Sequence, residues 1–200
     1  MSDRMRRPRL VLGSASPRRL QLLAQIGITP DIVQPADINE AVEKAELPRP
    51  YVQRVAAAKC CALKLLFPND FILTADTTVR LGRRIFGKPE TIEEARDFLM
   101  QFSGRRHRVL TAMALLAPAQ KIPVIKVSET TVKIARLHPT DIEHFLASDE
   151  WRGKAGGDKI QSSFAKHIVW IQGSQASVMG LDVHQAWGLL IGNGWRPNAP

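Results

Sequence analysis

Two arginines and a serine near the start of the chain form the first group that could do chemistry. Ser14 is followed by a Ser-Pro pair and then by Arg18 and Arg19. If a helix begins at Pro17, both arginines lie in its first turn, where the helix dipole disfavours cations by up to about 1 kcal/mol. An anion such as a polyphosphate, held by the helix N–H groups, the Ser14 hydroxyl and both guanidinium groups, would offset that cost. The alternative is two solvated arginines on a surface turn.

The second candidate is Asp76, which directly follows the apolar run Phe71 to Ala75. Ligands bind at the C-terminal ends of strands in open α/β sheets. A carboxylate placed there could hold a divalent cation or take a proton from an attacking water. The alternative is that Asp76 only caps a turn.

Two lysines are further candidates. Lys59 falls within the apolar stripe predicted for its helix, so its ammonium group must either snorkel to solvent or face a charged ligand. Lys88 lies in the segment GRRIFGKP, which nearly matches the P-loop pattern. Pro89 replaces the required Ser/Thr and cannot donate an N–H, so we reject a P-loop and keep Lys88 only as a candidate phosphate contact from a loop.

The elements that must position these residues alternate between strands and helices. Ser16, Pro17 and Gly27 suit the N-cap, first position and C′ of a first helix. The predicted strands are Leu10 to Leu12, Asp31 to Pro35, Phe71 to Ala75, a hairpin over Val79 to Ile85, Val109 to Ala117, Val124 to Ala135 and Ile168 to Ile171. The predicted helices are Ser16 to Gly27, Pro50 to Phe67, one capped by Thr91 with Glu94, one capped by Thr140 with Glu143, and Leu181 to Ile191. This alternation predicts an α/β protein with a mixed sheet.

Composition limits the classes of protein that fit. A chain of 200 residues can form one compact domain, and its net charge of +9 indicates attraction to polyanions, either a nucleic acid or nucleotide phosphates. The start of the chain has neither the apolar region of a signal peptide nor a membrane-spanning stretch, so we expect a cytoplasmic protein without membrane contact. Cys60 and Cys61 are adjacent and are predicted to be ordinary helix residues.

Taken together in this order and spacing, the segments resemble the Maf family of nucleotide pyrophosphatases. The resemblance extends from about Leu10 to Leu181. The matching motifs are LGSASPRRLQLLAQIG, the acidic loop around Glu40, Lys59, Ala75-Asp76-Thr77, Gly87-Lys88-Pro89, SGRRHRVLTA, EWRGKAGGDKIQ and GSQASVMGL. The resemblance implies an α/β, Maf/ITPase-like two-lobed fold around a long mixed sheet with a central cleft. It implies one catalytic domain over residues 10–192, a flexible N-terminus over 1–9 and a tail over 193–200.

The same resemblance implies the reaction and the partners. The expected enzyme hydrolyses a nucleoside triphosphate to the monophosphate and pyrophosphate, with Asp76 as the base that activates water. Mg²⁺ or a similar divalent cation is expected near Glu40 and Asp76. Ser14, Arg18, Arg19, Lys59 and Lys88 are the expected phosphate contacts, and a homodimer is the expected assembly.

Three positions separate substrate classes in the family, and here they carry Arg18, Thr77 and Gln161. This set resembles the branch that acts on dTTP and UTP, whereas a 7-methyl-GTP branch has a bulky aromatic residue, Gln and Glu at these places. The segment Asp158 to Ser162 departs from the family pattern, which puts the base preference in question more than the chemistry.

Two other functions fit parts of the sequence. A basic nucleic-acid-binding module would explain the charge but not Asp76 or Lys59, and no recognition-helix or RNP pattern supports it. A Maf-like regulator of cell division would bind nucleotides but turn them over poorly. All the candidate site residues are present, which argues against a regulator with little turnover.

Overall fold

The computed structural model describes residues 7–157 and 160–197, and it contains one mixed sheet of seven strands. The strands are β1 (Leu10–Gly13), β2 (Ile32–Val33), β3 (Phe71–Leu81), β4 (Arg84–Phe86), β5 (Arg106–Leu116), β6 (Val124–Ile134) and β7 (Ile168–Gln172). The helices are α1 (Pro17–Gln25), α2 (Pro48–Leu66), α3 (Ile92–Phe102), α4 (Pro139–Ala147), α5 (Gln175–Met179) and α6 (Val183–Gly192). Short 3₁₀ segments lie at Ala155–Gly157 and Ser163–His167. The predicted α/β class with a mixed sheet is confirmed.

The sheet has the order β2-β1-β3-β5-β6-β7, with β4 paired to one end of β3. β1 is parallel to β2 and β3, whereas the pairs β3–β4, β3–β5, β5–β6 and β6–β7 are antiparallel. β3 and β5 are each 11 residues long and extend along the whole sheet. These long strands connect the two ends of the molecule.

Three groups of buried apolar side chains surround the sheet and divide the molecule into two lobes. At the β1 end, one group packs α1 and α6 on one face of the sheet, and another packs α2 on the opposite face. At the other end, a third group packs α3 and α4 around Phe86, Phe102 and Trp151. The predicted two-lobed arrangement is therefore confirmed.

Several local predictions of helix ends are confirmed. Ser16 is the N-cap of α1 and Pro17 its first residue, while Gly27 follows with a positive φ of 71°. Thr91 caps α3 by accepting the N–H of Glu94 at 3.1 Å. The Glu94 carboxylate accepts from the N–H of Glu90 at 2.8 Å, so the return bond reaches one residue further back than a capping box requires.

Other local predictions are wrong for identifiable reasons. α4 is capped by His138 rather than Thr140, because Pro139 takes the first helical position. Leu66, whose spacing would continue the apolar stripe of α2, is exposed at the last residue of the helix. The short helix α5 was not predicted, and Trp195, in the predicted tail, is buried with the α1 and α6 group.

Some predictions fall on residues outside the described ranges. These are residues 1–6 and 198–200, in the predicted terminal segments, and Asp158 with Lys159 in the loop that departs from the family pattern. Within residues 7–157 and 160–197, no helix is both long and apolar enough to cross a lipid bilayer.

Candidate active site

A gap in the pairing of β3 creates the cleft between the lobes. On one side, β3 pairs with β1 through Phe71 to Thr74 and with β4 from Val79 to Leu81. Between these contacts, residues 75–78 have no strand partner on that side among the described residues. A cleft of about 590 Å³ opens there, and all nine residues predicted for the site line it: Ser14, Arg18, Arg19, Glu40, Lys59, Asp76, Thr77, Lys88 and Gln161.

The position of Asp76 differs from the sequence prediction. Asp76 lies in the middle of β3, paired with Ala112 of β5, and not after the end of a strand. The strand continues because Thr77, Thr78 and Val79 are β-branched residues that favour extended backbone. The side chain still reaches the cleft, because the missing partner strand exposes this part of β3.

Lys59 connects the two carboxylates of the cleft. Its Nζ atom lies 3.0 Å from Asp76 Oδ1 and 2.9 Å from Glu40 Oε2. Lys59 and Asp76 are 8% and 7% exposed, so the contact lies in a protected part of the site. The Thr74 hydroxyl, which donates to the Ala56 carbonyl at 2.7 Å, fixes α2 on β3 beside this contact. Lys59 therefore faces a charged partner and does not snorkel to solvent.

Arg19 is fixed by three groups of the cleft wall. Its Nε donates to the Gly180 carbonyl at 2.8 Å, and its two Nη atoms reach Ser14 Oγ at 2.9 Å and Thr77 Oγ1 at 3.4 Å. Gly180 has φ of 118°, and an added Cβ would lie 3.3 Å from Arg19 Nε. A glycine is therefore needed beneath the guanidinium group, and the solvated-turn alternative is wrong for Arg19.

Thr77 belongs to a chain of hydroxyl hydrogen bonds behind Arg19. Its Oγ1 lies 2.9 Å from Thr111 Oγ1, and the Thr111 hydroxyl donates to the Ser177 carbonyl at 2.8 Å. This chain links β3 and β5 to α5. It gives Thr77 a fixed orientation at the wall of the cleft.

Three predicted residues reach the cleft without a protein partner among the described residues. The side chains of Arg18, Lys88 and Gln161 line the cavity. Within the described residues, none of these side chains has a hydrogen bond or ion pair. The loop that carries Lys88 is held by the segment Ala155–Gly157 of the same lobe, where the Gly156 N–H donates to the Gly87 carbonyl at 2.8 Å. Gly156 has φ of 73°, and a Cβ there would lie 2.9 Å from Val79, so this approach requires glycine.

Two arginines, Arg18 and Arg19, place positive charge at one wall of the cleft. Burial lowers the pKa of Arg18. Burial also lowers the pKa of Arg19; the neighbouring Arg18 adds to this shift and the Asp76 and Glu40 carboxylates oppose it. Partly desolvated guanidinium groups gain most from an arriving anion. α1 contributes in the same direction, because no side chain caps its N-terminus and its first turn has no acidic residue.

The cleft supplies two carboxylates, but no larger group of ligands, for a hard divalent cation. Among the described residues, no group of three or more His, Cys, Asp or Glu side chains could hold a metal ion. Glu40 and Asp76 form a pair of carboxylates on one ammonium nitrogen. Mg²⁺ characteristically uses one or two carboxylates together with substrate phosphates and water, so a pair is a sufficient protein contribution.

Sequence reasoning missed the residues that support this set. Thr111, Tyr51 and Arg54 are the main examples: Thr111 orients Thr77, and Tyr51 and Arg54 contact the loop of Glu40. Thr111 lies in the SGRRHRVLTA segment, so its motif was recognised without its role. For Tyr51 and Arg54 no local pattern gives a signal, because their partners lie up to 13 residues away in an irregular loop.

Comparison with known proteins identifies the family. Residues 9–192 match the sequence profile of the Maf-like proteins. The chain belongs to the Maf-like protein family. This Maf-like protein is 50% identical over 186 residues to a dTTP/UTP pyrophosphatase of Roseobacter denitrificans, covering 93% of this chain and 97% of the relative. It is 46% identical over 188 residues to a dTTP/UTP pyrophosphatase of Rhodospirillum rubrum, covering 94% of this chain and 89% of the relative.

Among solved structures, this Maf-like protein is similar to a HAM1 protein from Coxiella burnetii. The TM-score is 0.43 at 17% identity, over 65% of this chain and 74% of that one.

Proposed function

We propose that this protein is a nucleoside triphosphate pyrophosphatase that acts on dTTP and UTP and releases the nucleoside monophosphate and pyrophosphate. The observation that carries this proposal is the arrangement of the cleft. A protected carboxylate, Asp76, lies in the same cavity as basic side chains that have no protein partner, Arg18 and Lys88. The relatives named dTTP/UTP pyrophosphatase, which match nearly the full chain, support the same substrate class.

In the proposed reaction, a water oxygen forms a bond to phosphorus as the bridging oxygen between the α and β phosphates leaves with pyrophosphate. Asp76 accepts the proton of the attacking water. Lys59 contributes by holding the Asp76 carboxylate through its 3.0 Å contact, which fixes the direction of proton transfer. A positioned general base of this kind contributes a factor of about 10² to 10⁴ in rate.

The remaining basic residues bind the polyphosphate. Arg19 is already oriented by Ser14 and Gly180, so little side-chain entropy is lost when an oxyanion arrives. Arg18 and Lys88 complete the neutralisation of the triphosphate and of the charge that develops on pyrophosphate. The N-terminus of α1 adds backbone N–H donors to the same wall.

Glu40 and Asp76 are the residues that would hold a divalent cation such as Mg²⁺. When bound, such a cation neutralises phosphate charge and lowers the pKa of coordinated water. Glu40 is well placed for this role, because its side chain is 42% exposed and can adjust to an incoming ion.

For the base, Thr77 and Gln161 are the proposed selective contacts together with Arg18. A glutamine amide can donate and accept at once, as the edge of uracil or thymine requires. We further propose that the enzyme is a cytoplasmic homodimer organised around one catalytic domain over residues 10–192.

The test is pyrophosphate release from dTTP, UTP, CTP, GTP, ATP and 7-methyl-GTP in the presence of Mg²⁺. We expect dTTP and UTP to be cleaved fastest and Asp76→Asn to reduce their cleavage about 10³-fold. If another base is preferred, the assignment of Thr77 and Gln161 is wrong and the reaction class stands. If no nucleotide is cleaved, the proposed function is wrong.

A further inference from the structure

The loop that carries Glu40 is long, irregular and mostly exposed. Residues 34–47, between β2 and α2, contain no helix or strand, and residues 41–45 are all exposed. Fixing such a segment costs on the order of 1 kcal/mol of backbone entropy per residue. A defined position for the Glu40 carboxylate therefore needs contacts that hold this loop.

Two residues of α2 supply these contacts. The Tyr51 hydroxyl donates to the Glu40 carbonyl at 3.1 Å, and Arg54 Nη2 donates to the Ala41 carbonyl at 2.9 Å. Arg54 also binds Glu46 through both carboxylate oxygens, each at 2.7 Å, and lies 3.4 Å from Glu43. The loop is thus attached to α2 at both ends of the stretch 40–46.

Helix α2 connects this attachment of the loop 40–46 to the residues of the cleft. Tyr51 and Lys59 lie two turns apart on α2, and Lys59 binds the Glu40 side chain while Tyr51 binds the Glu40 backbone. Residues spaced by about four positions share one face of a helix, so the face of α2 that presents Lys59 also holds the loop.

We propose that Tyr51 and Arg54 are positioning residues, which clamp the loop 40–46 onto α2 and thereby fix the Glu40 carboxylate beside Lys59 and Asp76. This inference rests on the proposed function for its catalytic consequence, whereas the clamp itself is a property of the structure. Neither residue touches the cleft cavity, so both act through Glu40.

The ionisation of both residues suits a clamp. Burial raises the pKa of Tyr51 to about 12, and the Asp76 and Glu40 carboxylates add to this shift, so the hydroxyl remains a donor at neutral pH. The hydrogen bond from Arg54 holds the pKa of Glu46 below its usual range. The bidentate pair therefore stays charged at neutral pH, and the Glu46 side chain, 8% exposed, is shielded from solvent.

Hydrogen exchange measured by mass spectrometry tests the clamp without any assay of activity. Arg54→Gln should speed exchange in the peptide that contains residues 40–46, and Arg54→Lys should restore part of the protection. The matched control is Arg49→Gln, also on α2, because Arg49 binds Glu129 on the sheet and not the loop. Unchanged exchange in Arg54→Gln, or an equal change in Arg49→Gln, would overturn the proposal.

Kinetics then connect the clamp to the reaction. We expect Arg54→Gln to raise the Mg²⁺ concentration needed for half-maximal cleavage of dTTP about 10-fold, as loss of an outer-shell partner typically does. Tyr51→Phe, which removes one hydroxyl and keeps the ring, should give a smaller shift in the same direction. If both variants keep the wild-type Mg²⁺ dependence, the clamp does not position Glu40. If the wild type cleaves nothing, the proposed function fails, while hydrogen exchange still decides whether the clamp exists.

Discussion

Two clusters of charged side chains lie on β3, and they have opposite charge ratios. In the cleft, the single ammonium group of Lys59 contacts two carboxylates, those of Asp76 and Glu40. Four residues further along the strand, Arg80 joins a cluster in which the single carboxylate of Glu129 contacts three arginines: Arg49, Arg80 and Arg108. The first cluster has excess negative charge and the second excess positive charge.

Solvent exposure separates the two clusters. The side chains of Lys59 and Asp76 are 10% and 9% exposed, whereas Arg49 and Arg108 are about half exposed. Coulomb energies are several times larger in a protected site than at a solvated surface. An unbalanced charge in the protected cleft therefore favours the binding of a ligand. An unbalanced charge on the open sheet is instead screened by water and salt.

The sharpest test of this comparison replaces one carboxylate in each cluster by its amide. We expect Asp76→Asn to reduce kcat for dTTP about 10³-fold, because the proposed base is lost. Glu129→Gln should leave kcat within about twofold of the wild type, because its cluster lies outside the cleft. Steady-state pyrophosphate release measures both, and equal losses would show that the two clusters do not differ in function.

The next largest effect is expected for the cation of the cleft. Lys59→Met removes the group that holds both carboxylates and contributes charge to phosphate binding, so kcat/KM for dTTP should fall about 10²-fold. Lys64→Met is the matched control, because Lys64 lies on the same helix but binds the carbonyls of Ala117 and Pro118. If Lys59→Met keeps near-normal kcat/KM, the cluster of Lys59, Asp76 and Glu40 has no part in the mechanism.

A smaller effect is expected at Gln161, the proposed base contact. Gln161→Glu replaces an amide that can donate by an acceptor-only carboxylate, so kcat/KM for dTTP and UTP should fall about 10-fold, equivalent to about 1.4 kcal/mol. Gln172→Glu on β7 is the control, because Gln172 does not line the cleft. An unchanged preference among the six nucleotides would place base recognition elsewhere.

The smallest effect concerns stability and pH at the exposed cluster. Although burial opposes it, the hydrogen bonds from Arg108 and Arg80 hold the pKa of Glu129 below its usual value of 4.5. A lowered folded-state pKa gives stabilisation that is complete above the unfolded value and is lost as pH falls through the folded value. Glu129→Gln should therefore cost about 1 kcal/mol at pH 7, and thermal unfolding should show this difference shrinking below pH 4.5.

Much of the fold follows from local signals. Ser16, Pro17 and Gly27 mark the ends of α1, a long apolar run marks β5, and a run rich in β-branched residues marks β6. The errors arise where one signal was given too much weight. Pro139 indicates that the helix begins at Pro139, and the run Thr77 to Val79 indicates a continuing strand. In both places the local sequence indicated the observed structure, but the prediction gave more weight to another signal.

The sequence indicated which residues would be candidates for one site, but it said little about the geometry that brings them together. All nine candidate residues reach one cleft, but the pairing gap on β3 that opens it depends on where β1 and β4 stop. Likewise, the clamp of Tyr51 and Arg54 and the three arginines around Glu129 join distant segments. Such contacts are set by tertiary packing, which no local pattern encodes.

The open stretch of β3 also places two proposed roles on neighbouring residues. Consecutive strand residues point to opposite sides of a sheet, so Asp76 turns toward Lys59 while Thr77 turns toward Arg19 and Thr111. In the proposed function, a substrate crossing this edge is contacted from both sides by neighbours in sequence. Substitutions at Thr77 would then change the accepted nucleotide while the proposed base, Asp76, stays in place, so that specificity could diverge without loss of the reaction.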